Sequence, residues 1–294
     1  MSIFNRKKIL ITHDGIFHAD DIFATATLSL FLKGSVKIIR TRDESMFKKG
    51  DYVYDVGGIY DPMHNRFDHH QQGGAGVREN SIPYAAFGLV WKTFGEKICG
   101  DIAIAKRIDE SLVQAIDADD NGIDLITLKT IVAPYFIQDM FSIFRPSYTE
   151  EPDYDAPFLK MIGIAREILL RTIRKTKDAL KAESAVRQAY ETAKDKRLII
   201  LNDRYPWADV LGAYPEPLYV VFPRTDSWGV LCVSKAKHSF ENRKPLPEAW
   251  AGKHDQEMAE VSGVSDATFC HNGRFLAVAK SKEGAIALAE KALL

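Results

Sequence analysis

Short apolar segments alternate with helical segments in the first third of this 294-residue chain, and this alternation most constrains its fold. The segments "KKILIT", "VKIIRTR" and "DYVYDVGG" are typical of strands, while "DDIFATATLSLFLKG" has apolar residues at helical spacing. A strand, a helix and a second strand in this order predict a parallel sheet with crossover helices. Further helices are expected from "SIPYAAFGLVWKTFG" and from residues 101–122, whose apolar stripe consists of Ile104, Ile108, Leu112 and Ile116.

The C-terminal part of the chain has a different pattern. Proline and acidic residues at 145–157 predict a loop, and residues from about 158 to 194 are predicted to be helical. Five short apolar segments then predict a mixed sheet, with Asn272-Gly273 in a tight hairpin turn and Ser281 as the N-cap of a closing helix. We expect an α/β protein with an N-terminal parallel-sheet domain with flanking helices (1–150), a helical linker (151–195) and a smaller mixed α+β domain (196–294).

Composition and charge exclude several functional classes. A net charge of −1 and a pI of about 6.7 do not fit a protein that binds long duplexes through bulk charge. The three cysteines, Cys99, Cys232 and Cys270, are far apart, which indicates buried free thiols in a reducing compartment. No apolar run approaches the ~20 residues of a membrane span, and the N-terminus is interpreted as the first strand. We expect a cytoplasmic protein with no membrane partner.

Acidic and imidazole side chains follow the ends of the N-terminal strands. The first strand leads into "THDGIFHADD", the third into "YDVGG" and then "NRFDHHQQGGAG", and the second long helix ends in "IDADDNG". Because ligands of an open α/β sheet bind outside the carboxyl ends of its strands, we expect these clusters to meet at one edge. The candidates are His13, Asp14, His18, Asp20, Asp21, Asp55, Asp68, His69, His70, Asp117 and Asp120.

Taken singly, several of these acids have a structural explanation. Asp55 precedes Val-Gly-Gly and could be a turn residue, and Asp20 could be the N-cap of its helix. Asp117 could be a surface acid, although an acid near a helix C-terminus opposes the helix dipole, which favours a functional role. The combination is more specific than any one member.

So many carboxylates at one place predict bound divalent cations. Carboxylates raise each other's pKa when they are brought together, and a divalent metal removes this cost. Mixed carboxylate and imidazole ligands suit Mn²⁺ and also iron, Co²⁺ or Zn²⁺, whereas all-oxygen sites suit Mg²⁺ or Ca²⁺. The candidates exceed what one closed site uses, so two cations bridged by a shared carboxylate fit better, and such pairs activate water for attack on phosphorus.

These motifs resemble the DHH phosphoesterase superfamily, and within it the melanocyte-proliferating-gene family of metal-dependent exonucleases. The matching segments are "THDGIFHADD", "YDVGGIYDP", "NRFDHHQ", "IDADDNG", "NRKPLPEAW" and "FCHNGRF", which extend from residue 12 to residue 275. The resemblance implies a DHH-type catalytic domain, a manganese pair at the domain cleft and a C-terminal substrate-binding domain. It also implies removal of nucleotides from single-stranded RNA in the 3′ to 5′ direction.

The resemblance assigns a role to individual positions. The implied metal ligands are His13, His18, Asp20, Asp55, His69 and Asp117, with Asp55 as the bridging carboxylate. His70 matches a histidine that faces the substrate phosphate and can act as general acid, and Asp68 either binds metal or orients a neighbouring histidine. Asp120 competes with Asp117 for the last position. The first metal's ligands stay open, because related pyrophosphatases have aspartate in place of His18.

The expected mechanism is in-line attack of a metal-activated water on a phosphodiester, with the metals and His70 stabilising charge on the phosphate oxygens and the leaving group. Candidates to hold the chain end in the C-terminal domain are Arg243, Lys244, His271 and Arg274. Guanidinium groups bind phosphate in a bidentate manner, although a solvated loop is the alternative for all four residues.

Rival functions stay open at this stage. The near-neutral charge is compatible with a phosphoesterase of small substrates, such as a short oligonucleotide, a cyclic dinucleotide or pyrophosphate. A metal-stabilised binding protein without catalysis is a further alternative. A metallopeptidase has no HExxH motif to support it. The sequence leaves the oligomeric state open, including a homodimer.

Overall fold

The structure, a computed structural model, describes residues 6–236 and 239–294. The chain divides into two units between Lys177 and Asp178, a position inside a helix of 38 residues, Asp155–Thr192. Each unit contains its own five-stranded sheet, mainly parallel in the first unit and mixed in the second. The expected fold class is therefore confirmed: a parallel-dominated N-terminal sheet, a long helix and a mixed C-terminal sheet domain.

The sheet of the first unit has the strand order β2-β1-β3-β5-β4. Its strands are β1 (Lys8–Thr12), β2 (Val36–Arg40), β3 (Tyr52–Tyr54), β4 (Tyr60–Asp61) and β5 (Arg66–Phe67). β1 pairs in parallel with β2 and β3, β3 pairs in parallel with β5, and β4 is an antiparallel edge strand. Leu10 and Ile11 of the interior strand β1 are fully buried, as expected for a sheet covered on both faces.

Six helices of the described residues accompany this sheet in the first unit. They are α1 (Ala19–Leu32), α2 (Glu44–Phe47), α3 (Ala86–Cys99), α4 (Ile102–Ile108), α5 (Gln114–Asp120) and α6 (Ile137–Ser142), with a 3₁₀ turn at Pro62–His64. α1 and α3 pack on each other through the rings of Phe23 and Phe87, whose centroids are 5.2 Å apart. Lys33 follows the last residue of α1 in a left-handed conformation, with φ of 51°.

A π-helical turn, Asp109–Val113, joins α4 to α5. The predicted apolar stripe is correct at Ile108 and Ile116, which are buried, but between them the fully buried residue is Val113 and Leu112 is only partly buried. A π turn accommodates one extra residue, so the buried face moves by one position.

The second unit contains the five strands that the sequence predicted, in the order β6-β7-β8-β10-β9. After α7 (Asp155–Thr192) its elements are β6 (Leu198–Ile200), α8 (Ala208–Gly212), β7 (Tyr219–Pro223), β8 (Trp228–Cys232), a 3₁₀ turn at Glu248–Trp250, α9 (Asp255–Ser262), β9 (Ala267–Cys270), β10 (Leu276–Ala279) and α10 (Lys282–Leu293). β6 pairs in parallel with β7, and the other pairs are antiparallel.

The turn between β9 and β10 differs from the expected tight Asn-Gly turn. The Arg274 N–H donates to the His271 carbonyl at 2.8 Å, and the left-handed residue is Arg274, with φ of 54°, rather than Gly273. A turn followed by one left-handed residue is a common form of longer hairpin loop.

The cysteines and helices agree with two expectations from composition. Cys99, Cys232 and Cys270 are buried and free, and burial raises the pKa of the Cys99 thiol to about 11 and that of Cys232 to about 12. Within the described residues, no helix combines the length and the apolar character that crossing a bilayer requires.

Ser281 caps α10, as predicted: its Oγ accepts from Gly284 N–H at 3.0 Å and donates to Asp266 Oδ2 at 2.6 Å. We expect Ser281→Ala to lower the free energy of unfolding by about 1–2 kcal/mol, because the helix loses its cap and Asp266 loses a donor. Urea unfolding followed by circular dichroism measures the change. Lys280→Ala, at the exposed neighbouring position, should stay within about 0.5 kcal/mol of the parent, and equal losses in both variants would contradict the capping role.

Candidate metal centre

The carboxyl ends of three neighbouring parallel strands supply the centre of the site. β1 continues into His13, β3 into Asp55, and β5 into Asp68, His69 and His70. β3 lies between β1 and β5 in the sheet, so Asp55 is in the middle of the row. The clusters that the sequence placed at strand ends are thus brought together at one edge.

The backbone of Asp55 is left-handed, with φ of 55°, a conformation that few residues other than glycine adopt. Its N–H donates to the Phe67 carbonyl at 3.2 Å. The buried carboxylate faces three imidazoles: Oδ2 is 3.2 Å from His13 Nε2, and Oδ1 is 3.4 Å from His69 Nε2 and 3.7 Å from His70 Nδ1. Residues held in such conformations concentrate at functional sites.

The contacts of His13 indicate which ring nitrogen carries the proton. Nδ1 lies 3.0 Å from the Asp14 carbonyl oxygen, an acceptor, so the neutral ring is protonated there. The Nε2 lone pair then faces Asp55 Oδ2 at 3.2 Å and Asp21 Oδ2 at 3.3 Å. A nitrogen lone pair and two carboxylate oxygens repel one another unless a metal cation or a proton lies between them. A neutral imidazole with its second nitrogen bonded to a carbonyl is also the usual state of a metal-binding histidine.

Among the described residues, the potential ligand atoms form three overlapping groups, and Asp55 belongs to two of them. The first consists of His13, His18 and Asp55, the second of Asp20, His69 and Asp120, and the third of Asp55, Asp68, His69 and His70, with the ligand atoms of each group within 4.8 Å of one another. In the second group His69 Nε2 lies 3.2 Å from Asp120 Oδ2 and 3.4 Å from Asp55 Oδ1. Although His69 Nε2 is buried, it forms no hydrogen bond within the described residues, and neither does Asp21 Oδ2. Asp55 therefore has the position of a shared ligand.

The start of α1 presents His18 and Asp20 to the site. The His18 N–H donates to Asp21 Oδ1 at 2.9 Å, which fixes the first turn. Asp20 is not the cap of its own helix, because its carboxylate accepts from Phe87 N–H at 2.7 Å and Ala86 N–H at 3.1 Å, at the start of α3. The N-terminus of α3 favours the negative charge of Asp20.

Asp68 is buried and orients His70. Its Oδ1 is 2.7 Å from His70 Nδ1 and accepts from His69 N–H at 2.8 Å, while Oδ2 accepts from Gly58 N–H at 2.5 Å. Because Asp68 engages Nδ1, Nε2 is the nitrogen left to contact a substrate, and the His70 side chain is 60% exposed. Of the two roles left open for Asp68, these contacts favour orientation of a histidine.

The charges of the cluster shift the pKa values of its members. Although burial opposes the charged rings, the nearby carboxylates of Asp120 and Asp55 raise the pKa of His69 to about 11, and Asp55 and Asp21 raise that of His13 to about 9. Burial raises the pKa of Asp21 to about 7, while contact with His13 and His69 lowers that of Asp55 despite its burial. Ligands that hold protons at neutral pH release them when metal binds.

Asp117, implied as the last ligand, has other partners. Its Oδ1 accepts from Gly88 N–H at 3.0 Å, and its Oδ2 is 2.7 Å from a terminal nitrogen of Arg78. Arg78 also donates to Asp109 in the π turn, through Nε at 3.0 Å and a terminal nitrogen at 2.8 Å. A Cβ at position 88 would overlap the Asp117 carboxylate, so this contact requires glycine. Asp117 thus ties α5 to α3 and to Arg78.

Asp120, at the end of α5, is the acid of this helix that lies beside His69. The sequence left Asp120 open as an alternative to Asp117 for the last metal ligand. Asp117 is fully buried and lies against Arg78. The geometry favours Asp120 as the last ligand of the second group.

The side chains of Arg243 and Lys244 bind backbone carbonyls of the second unit rather than extending from a solvated loop. Arg243 donates to the carbonyls of Gly212, Tyr214 and Pro217. Lys244 Nζ donates to the Leu293 carbonyl at 2.9 Å, at the end of α10. Their role in substrate binding stays a prediction.

His271 and Arg274 both lie in the β9–β10 turn. Nδ1 of His271 accepts from Gly273 N–H at 2.9 Å, and its ring packs on Phe275 with centroids 4.2 Å apart. The Arg274 carbonyl accepts from Leu246 N–H at 2.9 Å, and its side chain is partly buried. Substrate contact by these two residues likewise stays a prediction.

A cavity of about 340 Å³ lies beside the ligand groups. Besides predicted ligands it is lined by Arg42, Gln138 and Arg145, which the sequence analysis did not identify. Gln138 lies in α6 and Arg145 opens the segment predicted as a loop, so neither stood in a recognisable pattern. Arg78 was missed as well, since no local feature of "GVRENS" indicates a buried arginine.

Burial raises the pKa of Asp117 to about 7 even with Arg78 beside it. We expect Arg78→Met to lower the free energy of unfolding by about 3–5 kcal/mol at pH 8, because it leaves a buried carboxylate uncompensated. The loss should be smaller at pH 5. A carboxyl whose pKa is raised in the folded state keeps a proton that the unfolded chain releases above about pH 4, so stability falls as pH rises. Urea unfolding of metal-free protein at both pH values measures this.

The matched control is Lys8→Met, which removes an exposed ion pair of the same unit, Lys8 to Asp51 at 2.9 Å. It should cost no more than about 1 kcal/mol. A loss from Arg78→Met as small as this, or one independent of pH, would contradict the compensating role of Arg78.

Comparisons with known proteins place the whole chain in one family. The family model described as an uncharacterised protein family, UPF0160, matches residues 9–293. A MYG1 protein of Schizosaccharomyces pombe is 30% identical over 97% of both chains, and a MYG1 protein of Chlamydia pneumoniae is 32% identical over 92% of both. The human MYG1 exonuclease is 27% identical, over 96% of this chain and 85% of the relative. The chain therefore belongs to the MYG1 family (UPF0160).

Proposed function

We propose that this chain is a metal-dependent phosphodiesterase of the DHH type, and that it acts with two Mn²⁺ ions as a 3′ to 5′ exonuclease on single-stranded RNA. The observation that carries the proposal is the position of Asp55, a buried carboxylate that belongs to two of the three groups of potential ligand atoms. The name MYG1 exonuclease, borne by human, rat and mouse relatives that are 27–28% identical over 96% of this chain, supports a nuclease.

The residues present suit a pair of divalent cations. One cation would be held by His13, His18 and Asp55, and the other by Asp20, Asp55, His69 and Asp120. Mixed imidazole and carboxylate donors suit Mn²⁺, with Co²⁺ and Zn²⁺ as the next candidates. The buried atoms His69 Nε2 and Asp21 Oδ2, which have no hydrogen-bond partner among the described residues, support a cation at this place.

When bound, the cations supply electrophilic activation of the attacking water and of the phosphate. Asp68 holds His70 through Nδ1, so that Nε2 can carry a proton for the leaving oxygen. The hydrogen bond to Asp68 raises the pKa of His70, which favours the protonated ring. Exposure of His70 gives the leaving oxygen access to this proton. His70, oriented by Asp68, would thus donate a proton to the leaving oxygen of the phosphodiester.

An activity assay with Mn²⁺ tests the proposal. It compares 3′-blocked with 5′-blocked single-stranded RNA and DNA, with dinucleotides and pyrophosphate as further substrates. Loss of activity on 3′ blocking alone, with RNA preferred over DNA, is the expected result. Activity confined to dinucleotides or pyrophosphate would favour a small-substrate phosphoesterase, which the modest cavity also accommodates. Bound Mn²⁺ with no turnover of any phosphodiester would refute the proposal.

Asp55→Asn keeps the shape of the side chain and removes the charge that both groups share. We expect Mn²⁺ affinity and phosphodiesterase activity each to fall at least about 100-fold, because both cations lose a ligand charge. Titration calorimetry with Mn²⁺ and hydrolysis of a labelled oligonucleotide measure the two effects. Asp61→Asn, at a neighbouring edge strand, should change neither, and an active Asp55→Asn would contradict the bridging role.

His70→Asn should lower kcat by about 10²–10⁴-fold with little change in Mn²⁺ affinity, because it removes the proton donor. A nitrophenyl phosphodiester, whose leaving group needs no proton, should lose much less activity. The control is His64→Asn, which removes a similar imidazole, 2.6 Å from Asp61, outside the site. An equal loss on both substrates would argue against general acid catalysis by His70.

A further inference from the structure

Three residues that line the cavity beside the metal centre are not candidate metal ligands. They are Gln138 from α6, Arg145 just after α6, and Arg42. The lining also includes imidazoles and carboxylates of the ligand groups. A ligand in this cavity would therefore lie close to the candidate cation sites and also to amide and guanidinium groups.

Arg145 is fixed in direction by the segment that also carries His18. Its Nε donates to the Phe17 carbonyl at 2.8 Å, and its guanidinium carbon lies 5.8 Å from the centroid of the Phe17 ring. Phe17 is fully buried, and the Arg145 N–H donates to the Ser142 carbonyl at 3.0 Å. With Nε held in this way, the two terminal nitrogens remain to reach the cavity.

These terminal nitrogens are unpaired. Among the described residues, no carboxylate lies within ion-pair distance of Arg145 and no acceptor bonds to its terminal nitrogens; burial lowers its pKa. Arg42, by contrast, is 65% exposed and lies 3.5 Å from Asp14. A partly buried guanidinium without a carboxylate is unusual, because buried charges are normally paired. Arg145 is thus poised for an anion that enters the cavity.

The charge of the cavity indicates the same kind of ligand. The carboxylates that line it are Asp20, Asp55, Asp119 and Asp120. Without cations they would repel a phosphate, whereas two divalent cations would offset all four. The unpaired charge of Arg145 would then remain for the ligand, and a planar guanidinium matches the oxygens of a phosphate.

We propose that Arg145, together with the side-chain amide of Gln138, binds the backbone 5′-phosphate of the 3′-terminal nucleotide of a single-stranded nucleic acid and so places this nucleotide in the cavity. This inference rests on the proposed function, since it concerns the same site. The volume of about 340 Å³ is at the lower end of ligand pockets, which fits one nucleotide and excludes a duplex.

Adenosine 5′-monophosphate is the probe, titrated into the Mn²⁺-loaded full-length protein. Arg145→Ala should raise the Kd of this nucleotide and the KM of a single-stranded oligonucleotide by about 10–100-fold, because two charge-assisted hydrogen bonds are lost. kcat should change much less, and Mn²⁺ affinity should not change. The Kd and KM of Arg145→Lys should lie between those of the parent and of Arg145→Ala, because lysine keeps the positive charge but lacks the planar guanidinium with its two terminal nitrogens. Arg171→Ala, an exposed arginine of α7, is the control and should match the parent.

Other outcomes overturn the inference. An unchanged nucleotide Kd in Arg145→Ala, or a parent that binds no nucleotide, excludes the phosphate site. A parallel loss of Mn²⁺ affinity would show that Arg145 acts by positioning His18. The two proposals can fail separately. If the parent hydrolyses oligonucleotides and Arg145→Ala has the same nucleotide Kd and oligonucleotide KM as the parent, only the inference is refuted. If the nucleotide binds through Arg145 but no oligonucleotide is hydrolysed, only the proposed function is refuted.

Discussion

Repulsion among buried carboxylates at one sheet edge is the constraint around which the first unit is arranged. Asp68 accepts three backbone N–H groups, Asp117 is held by Arg78 and a backbone N–H, and Asp20 accepts two N–H groups at the start of α3. Among the described residues, Asp55 instead faces three imidazoles, and contact with His13 and His69 lowers its pKa. The carboxylate that faces imidazoles rather than backbone N–H groups is the one that two groups of potential metal ligands share.

The backbone of Asp55 also adopts a conformation that is unfavourable for stability but positions its carboxylate in the candidate site. A residue in the left-handed region costs free energy unless its surroundings hold it there, and here the bond to the Phe67 carbonyl does so. This conformation directs the carboxylate toward the ends of both neighbouring strands. Because parallel strands end at the same edge, a single turned residue between β1 and β5 can face histidines from both.

The parts of the fold and site that were predictable depend on local patterns. Apolar strands that end in Asp or His place those side chains at one edge of a parallel sheet, and His13, Asp55 and His69 were found there for that reason. Which of Asp117 and Asp120 lies beside His69 was not predictable, because it depends on the phase of a helix. Helical periodicity assumes ordinary α-helical turns, so the sequence pattern does not indicate the extra residue of the π turn. The same extra residue places Val113, rather than Leu112, on the buried face.

The roles of the arginines were not predictable, because they depend on partners that are distant in the chain. Arg145 meets a carbonyl 128 residues away, and Arg78 meets an acid 31 residues away. In the second unit Arg243 stood in a motif that suggested phosphate binding, yet three backbone carbonyls occupy its donors. An arginine binds whichever acceptors the fold brings to it. What distinguishes a candidate phosphate ligand is therefore the presence of donors that the folded chain has not already satisfied, and this condition separates Arg145 from Arg243.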